Sequence, residues 1–160
     1  MSDPYEEILA GDITLRLPPG ARHELVLVRL QTALRTSLAY SSVARLLEPR
    51  AQVRVSPTNT LRPDLALVTA ATGKLWLAAE IVSSDDHRTD TVIKKQIYED
   101  IKVPRLWMID PRYDNVEVYH CGVYGLALKC ILAGREQLTE SLLPEFGLVV
   151  AELFAPSTAV

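Results

Sequence analysis

The stretch from Leu75 to Ile109 limits the fold of this 160-residue chain more than any other. Leu75-Trp76-Leu77-Ala78-Ala79-Glu80-Ile81-Val82 is a strand-length run, apolar on both faces, which predicts a central place in a sheet. Ser83 to His87 is a polar connection. A helix is predicted from about Thr89 to Ile101, with Ile93, Ile97 and Ile101 on one stripe. Leu106-Trp107-Met108-Ile109 reads as a second buried strand, ended by Asp110-Pro111. Together these make a βαβ unit, whose strands should be parallel neighbours with a right-handed crossover.

The flanks read as hairpins and one long helix. A short strand or hairpin around Gly11-Asp12 precedes the break at Pro18-Pro19-Gly20. A helix from about Ala21 to Ala39 carries Val26, Leu27, Leu30, Leu34 and Leu38 on one stripe. Gln52 to Ser56 alternates like a strand, and Pro57 to Thr60 reads as a loop. Arg62-Pro63-Asp64 opens a strand over Leu65 to Val68, and Ala71 to Lys74 is a turn. Val116 to Tyr119 should pair with Tyr124 to Leu132. The segments 142–146 and 148–150 offer one more strand or short helix. The expected fold class is α/β, a mixed central sheet flanked by helices, in a single domain over residues 1–160.

The start of the chain lacks a basic region followed by an apolar run, and no apolar stretch spans a membrane, so a cytoplasmic location is expected. Cys121 and Cys130 flank the predicted late hairpin and could face each other, but free thiols are the default in that compartment. The net charge of −3 argues against a nucleic-acid binder. The charge is uneven, however. Between Arg16 and Arg62 lie Arg22, Arg29, Arg35, Arg45, Arg50 and Arg54, opposed within that stretch only by Glu24 and Glu48, whereas acids gather later around Asp85, Asp86, Asp90, Glu99, Asp100 and Asp110. A polyanionic partner or a solvated basic face would each explain this. Trp76 and Trp107 read as core. Ser83-Ser84 and His87 lack the Gly-x-Ser-x-Gly elbow of a serine hydrolase.

The chemistry concentrates on the hairpin from Asp64 to Val82. If its turn centres near Gly73, paired residue numbers sum to about 145, and Asp64 lies opposite Glu80 or Ile81. Cross-strand neighbours are about 5 Å apart, so the two carboxylates can bridge one cation. An ionised Glu80 in an apolar strand is costly unless it is paired or coordinates a metal. Lys94 lies beside the helix stripe and could swing toward the acids, with Lys95 as an alternative. A structural reading stands beside this: Asp64 capping a turn, Glu80 paired with a buried arginine, Asp90 and Lys94 a surface pair. Tyr98 in the helix would ordinarily be half-buried packing with a wet hydroxyl.

Pro63-Asp64, Glu80 and a following lysine resemble the PD-(D/E)XK nuclease signature, with Val82 in the usual lysine place and the lysine moved to the helix. A finer resemblance is to the Uma-two family of restriction endonucleases. Arg62-Pro63-Asp64-Leu65, Glu80-Ile81-Val82-Ser83, the helix with Asp90, Lys94 and Tyr98, Val103-Pro104 with Trp107 and Asp110-Pro111, and the closing Leu142 to Phe146 carry it. Ser84 stands where proline is usual, and Lys102 replaces the glycine that commonly stops the helix. The resemblance implies a restriction-endonuclease-like fold and Mg²⁺- or Mn²⁺-dependent hydrolysis of phosphodiester bonds, with DNA as partner. Asp64, Glu80 and the Ile81 carbonyl would hold the metal, and Lys94 rather than Lys95 would position water. His23, where the family starts a helix with histidine, Glu24 and Tyr98 would support them. The alternative is a non-catalytic nucleic-acid-binding or protein-interaction module that keeps the fold. Apolar edge strands near the carboxyl end could pair in a homodimer.

Overall fold

A computed structural model describes residues 3–83 and 86–157. Ser84 and Asp85, singled out above, lie outside the described residues.

Strands β1 (Tyr5–Leu9) and β2 (Asp12–Arg16) form the first hairpin, and α1 (Ala21–Leu38) follows the proline break. β3 (Ala44–Leu46), β4 (Val53–Ser56), β5 (Asn59–Leu61), β6 (Leu65–Thr69) and β7 (Leu75–Ile81) come next. A π-helical turn (Thr89–Lys94) runs directly into α2 (Lys95–Asp100). The chain closes with β8 (Arg105–Asp110), β9 (Asn115–Gly122), β10 (Gly125–Ala133), β11 (Gln137–Glu140), β12 (Leu143–Val149) and α3 (Val150–Phe154).

Among the described residues the main sheet has the order β10-β9-β8-β7-β6-β3. β7 and β8 pair in parallel, and the other pairings are antiparallel, so the predicted mixed sheet and its βαβ unit are both present. A smaller sheet, β2-β1-β5-β4, is built from the first hairpin and β4–β5. Three strands, β3, β5 and β11, differ from expectation. β3 pairs with β6, although residues 44–46 carried too short a pattern to be read as a strand. Residues 59–61 form β5 rather than a loop, because Pro57-Thr58 alone makes the turn back onto β4.

The core follows the pleat. Leu65, Leu67, Leu77, Ala79, Ile81, Trp107 and Ile109 pack with Val26, Leu27, Leu30 and Leu34 of α1 in one cluster. Leu30 and Leu34 are fully buried, each contributing roughly 1.5–3 kcal/mol. The intervening residues Ala78, Leu106 and Met108 join Ile97 and Tyr98 in a second cluster on the opposite face. Trp107 stacks on Phe146 at 5.6 Å between centroids, whereas Trp76 is only partly buried. Cys121 pairs with Leu126 and Cys130 with Val118, so the two thiols do not face each other and both are free.

The helix after β7 corrects the predicted stripe. A π-turn holds one more residue per turn than an α-turn, which rotates the following side chains. Val92 and Ile93 are exposed, while Thr89, Asp90 and Lys94 face inward. Asp90 and Lys94 are therefore not a surface pair. Lys102 supplies the helix stop in place of glycine: its φ is 57°, and the next amide, Val103 N–H, reaches back to the Tyr98 carbonyl.

Candidate active site

The β6–β7 ladder pairs Leu65 with Ala79, Ala66 with Ala78 and Leu67 with Leu77. Continued by one residue, this register sets Asp64 against Glu80. Asp64 Oδ2 accepts the Ile81 amide hydrogen at 2.8 Å. Alternation places Glu80 on the same sheet face as Ala78, turned away from α1. Both acids are buried, Asp64 at 3% exposure and Glu80 at 1%.

The two carboxylates live in different surroundings. Asp64 Oδ1 is 3.2 Å from Arg50 Nη1, and Oδ2 is 3.3 Å from His23 Nε2. The same His23 nitrogen is 3.1 Å from the Ile81 carbonyl oxygen. Since a carbonyl can only accept, Nε2 carries the hydrogen. Burial pushes the Asp64 pKa up, but His23, the Ile81 amide and Lys94 together hold it below its ordinary value. Burial likewise lowers the His23 pKa, and Asp64 more than reverses this. Glu80 Oε2 accepts from Tyr98 Oη at 2.5 Å and is ion-paired with Lys94 Nζ, 2.6 Å away. Burial, reinforced by Asp64, Asp90 and Glu7 against the pull of Lys94, raises its pKa to about 8. One acid of the pair is thus kept ionised and the other is poised to hold a proton.

Lys94 reaches Glu80 because the π-turn swings it inward, and it is wholly buried. Tyr98, one turn on, is also wholly buried with its hydroxyl on Glu80, not half-wet packing. Lys95 points elsewhere, its ammonium 4.4 Å from the Tyr119 ring centroid. Glu24 pairs with Arg50 and lies 3.5 Å from His23 Nδ1, two groups that themselves contact Asp64.

Three residues of the cluster were not anticipated as site residues. Glu7 of β1 lies 2.8 Å from Lys94 Nζ. Arg16 of β2 bonds Glu7, Asp86 and Asp90. Arg50 joins Asp64 to Glu24. The only sequence signal for Glu7 was an acid at an inward position of a strand, two residues before the buried Leu9. The arginines of the first third divide: Arg16 is buried, Arg29, Arg50 and Arg62 are half-buried, and Arg22, Arg35, Arg45 and Arg54 are exposed. Arg22 pairs with Asp114, Arg35 with Glu48, Arg29 bonds the Leu153 and Ala155 carbonyls, and Arg62 bonds the Glu6 and Arg50 carbonyls.

A cation fits this donor set in part. Among the described residues no group of three or more His, Cys, Asp and Glu side chains forms a preassembled metal cage. The set consists instead of Asp64, Glu80 and the Ile81 carbonyl, hard oxygens of the kind Mg²⁺ accepts while keeping several waters. Glu7, Asp64, Glu80 and Asp90 are all buried, with Arg16 and Lys94 buried among them and Arg50 and His23 against Asp64, so a cation would have to compete with these groups. A cavity of about 360 Å³, lined by His23, Val82, Ser83, Arg22 and Arg112, adjoins the site on the His23 side.

A mixed sheet with two acids across a central hairpin and a lysine on the following helix defines a restriction-endonuclease-like fold. The chain belongs to the Uma2 family, described as "Putative restriction endonuclease", whose model matches residues 2–151. A solved structure described as a "putative nuclease belonging to DUF820", from Anabaena variabilis ATCC 29413, is similar with a TM-score of 0.80 at 16% identity. The match covers 96% of this chain and 92% of that one, and it shows the same fold. No curated protein matches the chain. Among the described residues no helix is long and apolar enough to cross a membrane.

Proposed function

We propose that this protein is a metal-dependent nuclease that hydrolyses phosphodiester bonds, with DNA as substrate. The observation that carries this reading is the buried pair of Asp64, one residue before β6, and Glu80 of the adjacent β7, with the Lys94 ammonium 2.6 Å from Glu80. Asp64, Glu80 and the Ile81 carbonyl would hold Mg²⁺ or Mn²⁺, an ion that acidifies water and screens phosphate charge when bound. Asp64 is already ionised for this role, and Glu80 gives up its proton to take it. Lys94 orients the attacking water and offsets the negative charge that develops on the phosphate oxygens. Arg22 and Arg112 line the adjoining cavity and would meet a phosphate backbone by turning from Asp114 and Asp110.

The test is cleavage of plasmid and single-stranded DNA with Mg²⁺ or Mn²⁺. Asp64→Ala and Glu80→Ala should each lose at least about a hundredfold in rate. Unchanged turnover in both variants would overturn the assignment.

A second reading, a non-catalytic module on the same fold, draws support from one observation: protein donors already occupy both carboxylates, which are nearly fully buried. Calorimetry separates the two readings. Absence of Mg²⁺ or Mn²⁺ binding at millimolar concentration favours the module.

A further inference from the structure

We infer that Glu7 is a positioning residue for Lys94, retaining the ammonium beside the site when a cation takes the Glu80 carboxylate; this rests on the role of Lys94 proposed above. Glu7 lies on β1, in the small sheet, and its side chain has no exposed surface. An unpaired carboxylate there would be costly, so its partners define its purpose. Oε2 is 2.8 Å from Lys94 Nζ and accepts the Arg62 amide hydrogen at 2.7 Å. Oε1 is 2.5 Å from Arg16 Nη1.

Two consequences follow from this geometry. Lys94 is held between two acids, Glu80 at 2.6 Å and Glu7 at 2.8 Å. A cation on Glu80 repels the ammonium, and Glu7 is the anion that keeps it within reach of the reacting phosphate. The same carboxylate oxygen also fixes the backbone at Arg62, two residues before Asp64, so one acid sets both the lysine and the approach of the metal-holding strand. Arg16 in turn fixes Glu7, because it is anchored on Asp90 and Asp86 across the π-turn.

The experiment uses the full chain with ¹⁵N-labelled lysine side chains. A doubly paired, buried ammonium exchanges slowly and gives an observable signal, assigned to Lys94 by its loss in Lys94→Met. Glu7→Gln keeps the shape of the side chain and removes its charge. The expected result is a shifted or vanished Lys94 signal with the backbone spectrum otherwise native, and an unaltered signal overturns the inference. In cleavage assays the same variant should lose about tenfold or more in kcat, with KM for DNA and Kd for Mn²⁺ within about threefold. An unchanged kcat also overturns it. If the wild-type protein does not cleave DNA, the nuclease reading falls, while the ammonium signal still decides whether Glu7 holds Lys94. Glu7→Asp keeps the charge and shortens the reach, and serves where Glu7→Gln does not fold. A smaller shift and a smaller loss of kcat are then expected, and an unshifted signal overturns the inference.

Discussion

His23 donates its Nε2–H to the carbonyl oxygen of Ile81 at 3.1 Å, while the same nitrogen stands 3.3 Å from Asp64 Oδ2. The imidazole therefore sits between two of the oxygens proposed to hold a cation. Any ion that takes both must displace that hydrogen or the whole ring.

Metal binding should release protons. Below about pH 8 Glu80 holds a proton that a cation must displace, so Mn²⁺ affinity should rise with pH and level off above that value. One proton displaced corresponds to about tenfold in affinity per pH unit. Calorimetry in buffers of different ionisation enthalpy counts the protons. The count should fall in His23→Ala at acid pH, where His23, its pKa raised, is also charged. A pH-independent affinity would remove Glu80 from the ligand set.

Without metal, the same group should make stability decline as the solution becomes more basic. The folded-state pKa of Glu80 lies above its ordinary 4.5, so the native state binds this proton more tightly than the unfolded chain does. Its contribution to stability therefore falls as pH rises from 4.5 to about 8 and is constant above. Urea unfolding across that window should show the decline, and Glu80→Gln should flatten it.

Lys94 and Lys95 are adjacent in sequence and should behave oppositely. Lys94→Met leaves the Glu7 carboxylate buried without its ammonium, a loss of roughly 3–5 kcal/mol near neutral pH. Lys95→Ala removes one cation–π contact with Tyr119 and should cost about 1 kcal/mol or less. Chemical denaturation of both variants checks this.

Lys102 adopts φ 57° at the end of α2, where a side chain crowds the following carbonyl. Lys102→Gly should stabilise the protein by about 1 kcal/mol, read as a higher urea midpoint at unchanged slope.

Much of the scaffold was legible because it rests on short-range pattern. The apolar runs around Glu80 and Trp107 read as parallel neighbours, and the hairpin arithmetic placed Asp64 opposite Glu80 within one residue of the observed register. The inner lining of the site was not legible in the same way. Lys94 lay one place off an isoleucine stripe, and only the π-turn turns it inward. Glu7 and Arg16 come from a hairpin remote in sequence, brought over the π-turn by the pairing of β1 with β5. Nothing local to those residues encodes that approach. The arginine excess was legible only as a total, since Arg22, Arg35, Arg45 and Arg54 stay on the surface while Arg16, Arg50 and Arg62 are met by acids and carbonyls that only the folded chain brings near.

The burial of Lys94 between Glu80 and Glu7 bears on how such a protein would live in a cell. Many small metal sites are disordered until loaded, because their like-charged ligands repel. Here the chain brings its own counter-ion to the carboxylates. Folding need not wait for a metal, and in the proposed mode an incoming cation would meet a finished scaffold in which Glu7 keeps Lys94 in place. A pool of intact, idle protein could then respond to the available divalent ion without the delay or hazard of refolding.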